Sequence, residues 1–199
     1  MPDPCKTGPT ESVRRTTAAV LGDLRAVDGA LYAAVAATST PALDRALRRL
    51  SRAADHSKIS LAVAVALALV PGRPRGAALA GTGSVALASM LANLVGKRVV
   101  HRRRPGREQA VAARYVPMPE SASFPSGHTA SATAFATAVG VVLPPAAIPL
   151  GALAVAVGYS RVHTGVHYPG DVLAGAVLGF AAAAASLSAG HVPLRRLTG

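Results

Sequence analysis

The sequence predicts an all-α integral membrane protein: a bundle of about five hydrophobic helices preceded by two amphipathic helices. Three observations predict this fold. Apolar residues make up 51% of the 199 residues, a high share for a chain with a formal net charge of +12. They are concentrated in long segments, and these segments are rich in alanine and glycine, as is typical of helices that pack closely in lipid. The length suits one domain.

The positive charge limits the classes of partner. It is compatible with nucleic acid, anionic lipid or an anionic substrate. Because long apolar runs separate the basic clusters, lipid and an anionic substrate are favoured, and no nucleic-acid partner is expected. The single cysteine, Cys5, excludes a disulfide framework or a cysteine-based metal site within one copy of the chain.

The amino-terminal region is expected to contain a disordered start, residues 1–12, and then amphipathic interfacial helices over residues 13–56. No cleavable leader is expected, because Asp23, Arg25 and Asp28 interrupt the apolar run that follows the first basic residues. Apolar residues nevertheless recur at helical spacing in the first helix: Val20, Leu21, Leu24, Val27, Leu31 and Val35.

A break at residues 38–41 precedes the second amphipathic helix. Thr40 is predicted to be its N-cap and Pro41 its first helical residue. Its apolar face carries Leu43, Ala46, Leu47 and Leu50, and its opposite face carries Arg45, Arg48, Arg49 and Arg52. Two interpretations stay open: a helix lying on an anionic membrane surface, or a packed helix with a basic outer face.

Five apolar segments follow, within a membrane domain expected to span residues 57–190, and a basic tail is expected over residues 191–199. The segments are 57–71, 76–96, 127–143, 146–160 and 171–189. About 20 residues are needed to cross a bilayer core, so the second and fifth are long enough and the other three are short. Small residues are expected to allow close helix packing at Gly81, Gly83, Ser84, Gly151, Gly175 and Gly179.

Three polar clusters flank these helices. One follows the second segment and is almost entirely basic, one precedes the third segment at Ser126 and His128, and one follows the fourth segment at Arg161, His163, His167 and Asp171. If the third and fourth helices form a hairpin, all three clusters emerge on the same membrane face and converge.

The clusters contain three ordered motifs. Lys97 to Pro105 reads K-x6-R-P, Pro125 to His128 reads P-S-G-H, and Ser160 to Asp171 reads S-R-x5-H-x3-D. In order and without a mismatch they resemble the signature of the type 2 phosphatidic acid phosphatase (PAP2) family, which shares its core with the vanadium haloperoxidases. The resemblance covers about residues 57–190.

The resemblance implies a metal-independent phosphatase without a cofactor that forms a phosphohistidine. It implies His167 as the nucleophile, Asp171 as the carboxylate that orients His167, and His128 as the general acid and base. The residues implied to hold phosphate are Lys97, Arg104, Ser126, Gly127 and Arg161. The chemistry agrees, since fixed cations and helix N-terminal amides stabilise the charge that develops on a reacting phosphoryl group.

Other interpretations of the same residues remain. His56, His101, His163 and His191 are interpreted as solvated polar residues, and Arg98, Arg102, Arg103 and Arg107 as headgroup contacts or positive loop charge. Asp171 and Ser126 also suit helix-capping roles. A metal enzyme is one alternative, with His128, His163, His167 and Asp171 as ligands. It would leave the cations Lys97, Arg104 and Arg161 unexplained.

A non-catalytic protein that binds or transports anionic lipid would not need His128, His167 and Asp171 together. A haloperoxidase is disfavoured because the resemblance is to the core only. The sequence does not rank phosphatidic acid, polyprenyl (di)phosphate and polyprenyl-linked sugar phosphate as substrates. We expect a multi-pass protein of the cytoplasmic membrane. A sixth span over residues 16–37 would place Asp23, Arg25 and Asp28 in the membrane, so five spans are favoured. With five spans, the positive loop charges favour a cytoplasmic-facing site.

Overall fold

The computed structural model describes residues 9–108 and 110–194, and these contain helices and no strand. The side chains of residues 9–15, 95, 97 and 190–194 are not described. The helices are α1 (Pro9–Ala37), α2 (Pro41–Ala53), α3 (Lys58–Ala68), α4 (Arg73–Met90), α5 (Lys97–Val99), α6 (Gly127–Val142), α7 (Ala147–His163) and α8 (Pro169–Leu194). The predicted all-α class is confirmed.

The predicted ends of the chain differ from those observed. Helix α1 begins at Pro9, so residues 9–12 are helical and not disordered. Proline is compatible with a helix start because the backbone nitrogen at that position makes no hydrogen bond within the helix. Residues 1–8 lie outside the described part. Helix α8 runs to Leu194, past the predicted boundary at 190, and residues 195–199 lie outside the described part.

Helix α6 is the centre of the bundle. It packs against α4, α7 and α8, and α3 packs against the outer side of α4. Ala130, Ala134 and Ala138 of α6 are fully buried. This segment is therefore apolar because neighbouring helices surround it, which explains why it is shorter than a lipid-exposed span needs to be.

Within residues 9–108 and 110–194, three helical stretches are long and apolar enough to cross a membrane: Arg73–Leu94, Pro144–His163 and Pro169–Ala189. The predicted total of five spans stays a prediction. A π-helical turn, Leu91–Gly96, continues α4 to the start of the first motif at Lys97. Such turns inside helices are frequent near functional sites.

Close packing between α6 and α8 depends on two glycines. A Cβ atom on Gly175 would lie 2.5 Å from the Ser126 carbonyl oxygen, and one on Gly179 would lie 2.5 Å from the Ala130 carbonyl oxygen. A Cβ on Gly81 would lie 2.7 Å from the Phe135 ring. The expectation for Gly151 is wrong, because nothing lies within 4 Å of the position its Cβ would take.

The two amino-terminal helices pack on the membrane domain through polar faces. In α1 the buried face carries Asp28, Tyr32 and Ala36, while the predicted apolar stripe is exposed at Val20, Leu21, Leu24, Val27 and Leu31. In α2 the buried residues are Asp44 and Ser51. Thr40 and Pro41 start α2 as predicted, but the Thr40 hydroxyl donates to Asp44 at 3.0 Å and does not cap the helix.

Candidate active site

The three motifs meet at one end of the bundle, as predicted, around a cavity of about 440 Å³. Its lining includes Arg104 of the first motif, Gly127 and His128 of the second, and Arg161 and His167 of the third. The turn Asp55–Ser57 between α2 and α3 completes one wall. Two histidines and two arginines of the motifs therefore face one space.

His167 lies in the short loop between α7 and α8, and its backbone N–H donates to the Arg161 carbonyl at 3.2 Å. Its Nε2 lies 3.3 Å from Nη1 of Arg104, and its Nδ1 lies 3.5 Å from Oδ2 of Asp171. A guanidinium group only donates hydrogen bonds, so this arrangement favours an unprotonated Nε2, with its lone pair towards Arg104, and a proton on Nδ1. That is the tautomer a nucleophilic imidazole requires.

The imidazole of His167 is neutral in this environment. Burial lowers the pKa of His167 to about 4, against the opposing effect of the Asp171 carboxylate, and the positive charges of Arg104 and Arg161 lower it further. The side chain is 3% exposed. A neutral ring with an unprotonated Nε2 is available near pH 7.

Asp171 is fully buried in the first turn of α8, where Pro169 begins the helix as predicted. Its Oδ2 accepts the backbone N–H of Tyr168 at 3.0 Å, and its Oδ1 accepts Nη1 of Arg102 at 2.9 Å. Asp171 therefore has a capping contact at the start of α8, and its role in orienting His167 stays a prediction. The interpretation of Arg102 as a headgroup contact is wrong, because Asp171 binds it and the ring of Tyr168 covers it, 4.0 Å from the guanidinium carbon.

Two motif arginines are held mainly by neutral groups, so much of their positive charge is uncompensated. Arg161 also has a carboxylate oxygen of Asp55 at 3.5 Å. Arg104 donates to the carbonyls of Ser121 and Val166 at 3.0 and 2.7 Å. Arg161 is 2% exposed and donates from Nη1 to the carbonyl and hydroxyl of Ser51, and its Nε has no hydrogen-bond partner in the described part of the chain. Buried, fixed guanidinium groups bind anions well because water does not screen them.

His128 lies at the second position of α6, and its Nε2 is 2.9 Å from Oδ1 of Asp55. The same carboxylate oxygen lies 3.5 Å from Nη1 of Arg161. The sequence did not identify Asp55 as a site residue. Asp55 lies just before residues 57–190, which carry the resemblance to the PAP2 family. The only available signal is its place on one helical face with Asp44 and Ser51, the buried residues of α2.

The remaining predicted phosphate ligands are placed differently. Gly127 starts α6 beside the cavity, with Ser126 as the N-cap. Ser126 is fully buried, and its hydroxyl accepts from the hydroxyl of Thr129 at 3.0 Å and does not line the cavity. Lys97 starts α5, but its side chain lies outside the described part. Phosphate contacts of Ser126 and Lys97 stay predictions.

Two further sequence interpretations are wrong because the residues are engaged inside the protein. His163 is buried, with Nε2 3.0 Å from Asp44, and Asp44 also binds the fully buried Arg114 at 2.9 Å. Arg107 donates to the carbonyls of Val116, Thr164 and Gly165. His56 lines the cavity wall, His101, Arg98 and Arg103 are exposed, and the side chain of His191 lies outside the described part.

These contacts also bear on the metal alternative. His163 is bound to Asp44 and therefore does not join His128, His167 and Asp171. Among the described residues, no group of three or more His, Cys, Asp or Glu side chains is arranged to hold a metal ion. The four residues considered as metal ligands are thus not brought together in the described part of the chain.

Residues 77–192 match the model of the PAP2 superfamily. The chain belongs to the PAP2 superfamily. The matched segment contains all three motifs and the cavity residues Arg104, His128, Arg161 and His167. The resemblance of the motifs to the type 2 phosphatidic acid phosphatases is thereby confirmed, and helices α1 and α2 lie outside the matched segment.

Relatives of this PAP2 protein are named as phosphatases of lipids. It is 39% identical over 145 residues to the decaprenylphosphoryl-5-phosphoribose phosphatase of Mycobacterium tuberculosis. The aligned region covers 70% of this chain and 76% of the relative. The chain is 36% identical over 100 residues to the lipid A 1-phosphatase of Rhizobium etli, covering 48% of this chain and 43% of the relative.

A solved structure supports the fold. The transmembrane PAP2-type phosphatidylglycerolphosphate phosphatase from Bacillus subtilis superposes with a TM-score of 0.67 at 22% identity, covering 85% of this chain and 87% of that one. Together with the family match, this makes the chain a membrane phosphatase of the PAP2 type, as the sequence predicted.

Proposed function

We propose that this PAP2 protein removes the terminal phosphate from a polyprenyl-phosphate-linked sugar phosphate in the cytoplasmic membrane, through a phosphohistidine on His167. The observation that carries the mechanism is the position of His167: Nε2 lies 3.3 Å from Arg104 at the cavity, and Nδ1 faces Asp171 at 3.5 Å. Attack by a neutral imidazole needs this arrangement of proton and lone pair.

Phosphate binding depends on the motif cations, whose hydrogen bonds in the protein are mainly to neutral groups. Arg104 and Arg161 would contact the phosphoryl oxygens, and the amides of Gly127 and His128 would add donors at the N-terminus of α6, where the helix dipole favours an anion. Lys97 would add a third cation. Together these groups stabilise the charge that gathers on the equatorial oxygens as phosphorus is attacked.

The reaction has two displacements. Nε2 of His167 forms a bond to phosphorus while the bond from phosphorus to the sugar oxygen breaks, and His128 gives a proton to the departing oxygen. Water then attacks the phosphohistidine, His128 takes a proton from that water, and the nitrogen–phosphorus bond breaks to release inorganic phosphate. Asp171 stabilises the positive charge that the His167 ring carries in the intermediate.

The substrate class is supported by similarity and by cavity size. The Mycobacterium tuberculosis relative, which aligns with 70% of this chain, is named for decaprenylphosphoryl-5-phosphoribose. The cavity of about 440 Å³ falls in the range of roughly 300–1,000 Å³ that small-molecule sites occupy, so it has room for a sugar beside the phosphate. Its membrane location keeps the polyprenyl chain in the bilayer.

The test is phosphate release by the purified protein in detergent with EDTA present. The substrates are a polyprenyl-phosphoryl sugar phosphate, a polyprenyl diphosphate and phosphatidic acid. We expect the first to give the highest kcat/KM, His167→Ala to abolish release from all three, and His101→Ala, which changes an exposed histidine near the same site, to have no effect.

Two results would contradict the proposal. A higher kcat/KM for phosphatidic acid or the diphosphate would overturn the substrate assignment. Phosphate release that survives in His167→Ala would overturn the assignment of the nucleophile.

A further inference from the structure

We infer that Arg102 is a positioning residue for the catalytic pair, and that Asp28 of the amino-terminal helix α1 holds it in place. This inference rests on the proposed role of His167 as the nucleophile. It assigns a function to α1, which lies outside the segment that matches the PAP2 family.

The first step concerns the carboxylate of Asp171. Oδ2 faces Nδ1 of His167 and accepts the Tyr168 N–H, and Oδ1 accepts Nη1 of Arg102 at 2.9 Å. The carboxylate is fully buried, so it needs a cationic partner to stay ionised. Arg102 is that partner. It fixes the rotation of the carboxylate and keeps Asp171 ionised, so that a negatively charged Oδ2 faces Nδ1 of His167 at 3.5 Å.

The second step concerns the fixation of Arg102 itself. Its Nη2 lies 2.6 Å from Oδ2 of Asp28, and its guanidinium group lies over the ring of Tyr168. Oδ1 of Asp28 accepts the backbone N–H of Gly170 at 2.7 Å. Asp28 therefore binds both the arginine and the first turn of α8, from which Asp171 projects.

The third step concerns the helix that carries Asp28. One turn later, Tyr32 donates from its hydroxyl to the Gly106 carbonyl at 2.9 Å and packs edge-on against Tyr168. Asp28, Tyr32 and Ala36 form the buried face of α1, while most of its apolar stripe is exposed. The helix thus contacts the catalytic loops through the residues that fix Arg102.

The charges explain why both carboxylates are needed. One arginine between Asp28 and Asp171 leaves the cluster with one net negative charge. That charge lies next to His167, which becomes positive when it bonds to phosphorus. Arg102 does not line the cavity, so its effect on the reaction passes through Asp171.

The test compares Arg102→Met with Arg103→Met, which removes the exposed neighbouring arginine of the same loop. We expect Arg102→Met to lower kcat by at least about tenfold, because a small misplacement of a nucleophile is costly, and to change KM by less than about twofold. Arg103→Met should change neither constant. Asp28→Asn should lower kcat in the same manner but less, because the contact between Arg102 and Asp171 persists.

A conservative variant distinguishes positioning from folding. Arg102→Lys supplies the charge beside Asp171 but not the fork that reaches Asp28, so it should recover part of the lost kcat. Wild-type kcat in Arg102→Met, or a loss that appears mainly in KM, would overturn the inference. So would a loss that Arg102→Lys does not reduce. Activity in His167→Ala would instead overturn the proposed function on which it rests.

Discussion

The protonation state of His167 is the residue-scale property on which the mechanism depends. Burial lowers its pKa to about 4, below its ordinary value of 6.5. Between these values the unfolded chain binds more protons than the folded protein. The stability contribution of the neutral ring is therefore complete above pH 6.5 and falls as the pH drops towards 4.

We predict that the ring nitrogens of His167 show no titration between pH 7.5 and 5.5 in the substrate-free protein. The measurement is NMR of protein labelled with ¹⁵N-histidine in detergent, with His167→Asn used to assign the signal. A midpoint near 6.5 for His167 would contradict the prediction.

Asp55 places a carboxylate in the cavity that is proposed to bind phosphate. One of its oxygens contacts both His128 and Arg161, and the side chain is 38% exposed. It neighbours His56 and Ser57, which have positive φ angles of 55° and 58°, in a turn between two helices. An incoming phosphate would meet this negative charge and compete with it for Arg161.

We predict that Asp55→Asn lowers the inhibition constant for inorganic phosphate by about fivefold or more, because removing a nearby like charge strengthens anion binding. Asp23→Asn removes an acidic residue from the exposed part of α1 and should leave the constant unchanged. Weaker phosphate inhibition in Asp55→Asn would show that Asp55 instead holds Arg161 in the geometry that binds phosphate.

The residues found from the sequence and the residues missed differ in one physical respect. His128, Arg104, Arg161, His167 and Asp171 occur in motifs whose spacing is fixed by short loops and helix starts. Asp28 and Asp55 contact the site through pairs separated by more than 70 positions, Asp28 with Arg102 and Asp55 with His128. No local spacing encodes such a pair.

At the scale of elements, the site depends on how closely α8 approaches α6. Gly175 lies against the carbonyl of Ser126, the N-cap of the helix that begins with Gly127 and His128. A side chain at this position would push the two helices apart where the second and third motifs meet.

We predict that Gly175→Ala lowers the stability by roughly 1–3 kcal/mol, as overpacking typically does, and also lowers activity. Gly151→Ala is the matched control, because its Cβ would meet nothing within 4 Å, and alanine should be neutral or slightly stabilising in that helix. The measurements are the thermal unfolding midpoint and kcat in detergent. Equal midpoints for the two variants would contradict the prediction.

Helix boundaries followed the sequence where proline, serine or glycine defines them, as at Pro41, Ser126 and Pro169. The orientation of α1 did not follow from its apolar stripe. A sequence stripe shows which face avoids water, and in a membrane protein lipid satisfies that face as well as a protein core does. The polar face, with Asp28 and Tyr32, is the one that packs on the bundle.

At the scale of the whole molecule, the fold could be predicted because apolar segments and their breaks set the helices, and three motifs set one common end. The role of α6 as a central, surrounded helix could not be predicted from its composition, since buried and lipid-facing helices are similarly apolar. The amino-terminal helices and the turn after them complete the architecture by adding the carboxylates of Asp28 and Asp55 to a site whose motif charges, apart from Asp171, are basic.

The central claim is that phosphate passes through His167. The most direct measurement is a rapid alkaline quench of the protein reacting with a ³²P-labelled polyprenyl-phosphoryl sugar phosphate, followed by peptide mass spectrometry. We expect an acid-labile, base-stable phosphoramidate on His167, with none in His167→Ala and more in His128→Ala if loss of the base slows its hydrolysis most. Phosphate released at the wild-type rate with no label on His167, or label on another residue, would contradict the account.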